Sequence, residues 1–126
     1  MNAPSRIATK RIYQPADAAD GTRMLIVRLW PRGIRKDRVT MWRKELGPVK
    51  ELLRDFLDKK IDWPTYTRRY LAGLDRPEAQ EALAEVRALA ETGQVTLLCG
   101  CADETHCHRS LLKEYLRSTS APERGS

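Results

Sequence analysis

Residues 95–116 read VTLLCGCADETHCHRSLLKEYL. VTLLC is a short apolar run between Gly93 and Gly100, the pattern of a strand buried on both faces. In SLLKEYLR, Leu111, Leu112, Tyr115 and Leu116 share one helical face. A strand, a polar loop and a helix in this order point to an α/β fold. The loop also holds all three cysteines, Cys99, Cys101 and Cys107, and both histidines, His106 and His108.

Upstream, IATKRIY at 7–13 alternates as a strand does, and RMLIVRLW at 23–30 contains an apolar run typical of a buried one. Asp20-Gly21 is the strongest turn signal between them, and Pro31 and Gly33 end the second strand. A further short strand fits within 34–47. Three helical patterns follow. Val49, Leu52, Leu53, Phe56 and Leu57 form an apolar stripe behind Pro48. Asp62 is placed to cap a helix carrying Tyr66, Tyr70, Leu71 and Leu74. Asp75 and Glu78 have capping-box spacing ahead of Ala79, Ala82, Leu83, Val86 and Leu89, with Gly93 at the end. The expectation is one α/β domain over 7–117, a small mixed or partly parallel sheet packed with about four helices. The ends, 1–6 and 118–126, are expected to be flexible.

Composition sets limits on partners and compartment. The 126 residues are 41% hydrophobic and 32% charged, a globular mixture with a largely aliphatic core because there is one Phe. No apolar run approaches the roughly 18 residues of a membrane span, and no signal-peptide pattern opens the chain, so a cytoplasmic protein with reduced thiols is expected. The formal charge of +6 fits an anionic partner, either a small anionic ligand or nucleic acid. No recognisable nucleic-acid-binding motif accompanies the charge.

The cysteine–histidine loop supports two chemistries. In the first, Cys107 stands at the start of the last helix, where free backbone N–H groups and the helix dipole favour a thiolate. Cys107 is then the nucleophile, His108 its base or orienter, and Arg109 an anion donor. In the second, Cys99, Cys101 and Cys107 with His106 or His108 supply soft and borderline donors for tetrahedral zinc or iron. The Cys-x-Cys-x5-Cys spacing differs from the paired Cys-x2-Cys of common zinc modules, and buried, unreactive cysteines are the alternative to both. The basic stretch RLWPRGIRKDR adds Arg28 and Arg32 as anion-binding candidates. If strands 23–30 and 95–99 are parallel, their carboxyl ends bring Arg32 and the cysteine loop to one crevice.

DGTRMLIVRLWPRG, WRKELGP and VTLLC...CHRSLLKEYL together resemble domain-of-unknown-function family 488, the YeaO-like proteins, from about Ile12 to Leu116. The resemblance implies a small single-domain α/β protein and brings no established activity. Arg28, Trp30, Arg32 and Gly33 match the family's first motif, whereas Val27 replaces its acidic residue. Pro48-Val49 stands where the family usually has Pro-Ser. Cys99, Cys107, His108 and Arg109 match the last motif of wider members, and Cys101 occupies a position often held by Glu. A thiol in place of a carboxylate removes an acid–base group and adds a soft ligand.

Overall fold

The computed structural model describes residues 6–101 and 106–118. The expected flexible ends therefore lie outside the described residues, except for Arg6 and Ser118. Four strands form one sheet among the described residues: β1 (Ile7–Arg11), β2 (Thr22–Leu25), β3 (Met41–Trp42) and β4 (Val95–Cys99). Four helices accompany them: α1 (Lys50–Leu57), α2 (Trp63–Gly73), α3 (Pro77–Thr92) and α4 (His108–Ser118). The sheet order is β1-β4-β2-β3, and every pairing is parallel. The expected short strand within 34–47 is β3.

β4 lies between β1 and β2, and all five of its residues are buried. It pairs Ile7 with Val95 on one side and Thr22 with Val95 on the other. Alternation along the strand divides the core. Val95 and Leu97 join Met24, Ile26 and apolar residues from all four helices, whereas Leu98 joins Ile12, Leu25 and Ile34 on the opposite face. The helices therefore cover one face, and the segment after β2 covers the other.

β2 is shorter than the expected 23–30 strand. Ile26 still donates to the Leu98 carbonyl at 3.0 Å, but both neighbouring strands end there and the chain bends away. Leu29 is consequently exposed rather than buried. The residues after the bend brace the loop: Trp30 Nε1 donates to the Ile34 carbonyl, and Arg38 Nη2 to those of Ile12 and Gln14.

Gly21 has a φ of 65°, and a Cβ there would lie 2.2 Å from the Gln94 carbonyl oxygen, so the expected turn requires glycine for conformation and space. Next to it, buried Asp20 accepts from Lys10 and Arg23, and Thr96 Oγ1 donates to the Asp20 carbonyl at 2.7 Å. This polar knot fastens the amino-terminal end of the sheet.

The helices follow the expected stripes with two corrections. Asp62 caps α2 by accepting from Thr65 N, as expected. The Asp75–Glu78 capping box does not form, because α3 begins one residue later with Arg76 at the cap position and Pro77 in the first turn. Arg76 Nε instead bonds the Gly73 carbonyl, and its Nη1 pairs with Glu78. In α1, Leu52 is buried, but Val49 and Leu57 are exposed at the two ends of the stripe.

Candidate active site

The strand-to-helix loop converges on one buried centre. β4 delivers Cys99 at its carboxyl end, where the Cys99 carbonyl accepts from Ile12 N at 2.8 Å. α4 begins at His108, two residues before the expected SLLKEYLR. Cys107 therefore immediately precedes the helix, and its carbonyl accepts from Ser110 N and Leu111 N. The early start places His108 and Arg109 in the first helical turn, facing inward and buried.

Cys99 Sγ and Cys107 Sγ are 2.9 Å apart. Arg109 Nη1 donates to Cys99 Sγ at 2.9 Å and to the Cys101 carbonyl at 2.8 Å. His108 Nε2 lies 2.5 Å from the Ile26 carbonyl. A carbonyl only accepts, so Nε2 carries the hydrogen and Nδ1 presents its lone pair to Cys107 Sγ, 3.9 Å away. Burial holds the His108 pKa below its ordinary value, which keeps the ring neutral.

These contacts divide the thiols unequally. Hydrogen bonds from Cys101 and then Cys107 favour the thiolate of Cys99 and hold its pKa far below the ordinary thiol value. Bonding with Cys101 and Cys99, together with burial, pushes Cys107 up. For Cys101 the bond to Cys107 acts downward, but the bond with Cys99 and burial outweigh it and the pKa rises. The Arg109 guanidinium, whose Nη1 is 2.9 Å from Cys99 Sγ and 3.8 Å from Cys107 Sγ, favours the thiolate on Cys99.

A cavity of about 700 Å³ opens over this centre, within the range of small-molecule sites. Cys99, Cys101 and His108 line it together with Arg28, Lys44 and Lys50. Cys107, the nucleophile expected from the sequence, is outside that lining. Of the two anion-binding candidates, Arg28 lines the cavity, whereas Arg32, expected at the crevice, is exposed on the loop beyond β2 and is outside the lining. β2 and β4 are parallel, but the bend after Ile26 turns the chain before Arg32 is reached. His106 is also outside the four-donor group; its ring packs edge-on against Trp63 with centroids 4.9 Å apart. Lys44 and Lys50 escaped the sequence reading, although basic residues flanking Gly47-Pro48 just before a helix were a usable signal.

α2 supports the centre with aromatic rings. Tyr66 stacks on Trp63 and on Tyr70, and Tyr70 meets His108 edge-on at 5.7 Å. Tyr70 also donates its hydroxyl hydrogen to the Leu46 carbonyl at 2.6 Å, fixing the segment that carries Lys44.

The chain is similar to the uncharacterised protein YeaO of Escherichia coli K12, 38% identical over 115 residues that cover 89% of this chain and 97% of YeaO. It is also similar to Mb3100c of Mycobacterium bovis and Rv3073c of Mycobacterium tuberculosis H37Rv. Each is 33% identical over 118 residues, covering 92% of this chain and 98% of the relative. No solved structure matches. The model of the Active DUF488-N3 subclade matches residues 7–120, so the chain belongs to the DUF488 family.

Proposed function

We propose that the cavity is the active site of a thiol-dependent enzyme acting on a small anionic substrate, with Cys99 as nucleophile. The carrying observation is the buried Arg109 guanidinium, whose Nη1 lies 2.9 Å from Cys99 Sγ. A cation in this position favours the thiolate by charge and by a charge-assisted hydrogen bond. Cys107 contacts the Cys99 sulfur and is itself faced by His108 Nδ1, and Arg28, Lys44 and Lys50 attract the substrate. The word "Active" in the name of the matched subclade accords with this reading.

In the chemical step, the Cys99 sulfur supplies the electron pair for a bond to an electrophilic substrate carbon. The bond to the leaving group breaks with its electrons on that group, which takes a proton from the Cys101 thiol. Water then cleaves the covalent intermediate by adding its oxygen to the same carbon: the S–C bond electrons return to Cys99 as the thiolate, one water proton restores the Cys101 thiol and the other stays on the product oxygen. Cys99→Ser is expected to abolish fast labelling by limiting iodoacetamide while circular dichroism is unchanged. Cys107→Ser is expected to slow labelling without abolishing it. Unaltered kinetics in Cys99→Ser overturn the assignment.

A second reading has its own observation: the donor atoms of Cys99, Cys101, Cys107 and His108 all lie within 4.8 Å of one another. Three thiolates and a neutral imidazole suit tetrahedral zinc or iron, and Arg109 would balance the remaining negative charge of a zinc site. The Ile26 carbonyl supplies the outer-shell bond that orients a ligating histidine. Elemental analysis of protein purified without a metal column, with thiols counted in the same sample, separates the readings. About one metal per chain with protected thiols favours the metal centre; no metal and a fast-reacting Cys99 favour the enzyme.

A further inference from the structure

Three exposed large apolar side chains, Leu29, Val49 and Leu57, converge on the cavity over the thiols. Leu29 and Leu57 are 69% and 67% exposed. Single exposed leucines are ordinary, but a group gathered around one cavity marks a surface that meets an apolar ligand. Among the described residues, the same lining contains Arg28, Lys44 and Lys50 and no carboxylate. Its potential is therefore positive next to an apolar wall.

The three cationic residues of the lining, Arg28, Lys44 and Lys50, show where the anion would sit. Arg28 Nε donates to the Gly47 carbonyl at 3.3 Å, while its Nη2 is buried and makes no hydrogen bond among the described residues. A buried donor without a partner is costly, and a charged one more so. Burial and the neighbouring Arg76 both work against the Arg28 charge. An anion in the cavity beside Arg28 would compensate that charge.

We infer that the cavity binds a small amphiphilic acid, with its carboxylate or phosphate beside Arg28, Lys44 and Lys50 and its apolar body against Leu29, Val49, Leu53 and Leu57. The identification of this ligand as substrate rests on the Cys99 reading; its binding does not. The volume of about 700 Å³ suits a small molecule rather than a single ion.

The test is calorimetry with three probes: hexanoate, acetate and hexanamide. Hexanoate is expected to bind at least about ten-fold more tightly than either acetate, which lacks the apolar body, or hexanamide, which lacks the charge. Arg28→Gln is expected to remove most of the preference for hexanoate over hexanamide. Because Arg28 also holds Gly47, the double variant Lys44→Gln/Lys50→Gln, at two exposed positions, provides the test if Arg28→Gln does not fold; it is expected to weaken hexanoate several-fold and leave hexanamide unchanged. Equal affinity for hexanoate and hexanamide, or hexanoate binding unaffected in the folded variants, overturns the inference. Hexanoate binding to a protein whose Cys99 resists labelling would defeat the nucleophile reading alone. A reactive Cys99 without hexanoate binding would defeat this inference alone.

Discussion

His108 donates from Nε2 to the carbonyl of Ile26 across 2.5 Å, joining the first residue of α4 to the residue just beyond β2. One bond sets the ring's tautomer, orients Nδ1 toward Cys107 and holds the two halves of the site together. His108→Ala should leave the buried carbonyl unpaired and cost about 1–3 kcal/mol, plus the loss of ring packing on Tyr70. His108→Gln, which retains a donor, should recover part of the loss. Urea denaturation of both variants measures the difference, and equal stability of Ala and Gln would remove the hydrogen bond from the account.

Cys99 and Cys107 should form an intramolecular disulfide under mild hydrogen peroxide. Their sulfurs are already neighbours at 2.9 Å. The Cys99 thiolate and the Cys107 thiol are oxidised to the S–S bond, the Cys107 hydrogen leaves as a proton, and peroxide is reduced to one water and one hydroxide overall. Non-reduced peptide mapping should recover the 99–107 link in preference to any link with Cys101. A dominant link to Cys101 would contradict the arrangement of the three sulfurs.

Asp20→Asn should cost about 3 kcal/mol, because it leaves Arg23 and Lys10 without their buried carboxylate. Burial raises the Asp20 pKa, but bonds from Lys10, the Asp17 amide and Arg23 outweigh it, and the net shift is downward. A carboxylate depressed in the folded state contributes stability above its unfolded pKa, near 3.8, and loses it as pH falls through the folded value. Acid titration of stability should therefore be shallower in the variant below that pH. Parallel curves would show that Asp20 does not carry the acid sensitivity.

Gly47→Ala tests how Arg28 is placed. An added Cβ would come within 2.9 Å of Arg28 N and Val27 Cα, both backbone atoms that cannot swing aside. A loss of about 1–3 kcal/mol is expected from the forced shift. Hexanoate affinity should fall in parallel, because the displaced backbone carries Arg28. Unchanged stability and affinity would show that the loop yields without consequence.

The α/β class, the strand positions, the helical faces and the candidate loop were legible in the sequence. Apolar periodicity and the turn chemistry at Asp20-Gly21 are local, and VTLLC and SLLKEYLR carry their burial in their own spacing. The concentration of Cys and His between them marked the cluster of Cys99, Cys101, Cys107 and His108 without any tertiary information. Where RMLIVRLW leaves the sheet was not local. That point depends on where β3 and β4 end, and it turned Leu29 outward and kept Arg32 from the thiols.

Tertiary structure also decided which thiols face the cavity, Cys99 and Cys101 but not Cys107. Sequence position placed Cys107 at a helix start, where a dipole favours a thiolate, but the nearest fixed cation and the cavity meet at Cys99. Only packing α4 against β4 brings Arg109 Nη1 to that sulfur. The residue types that make chemistry available are written locally; which of them bears the charge depends on distances of a few ångströms between segments remote in the chain, because charge-assisted bonding and desolvation act through space.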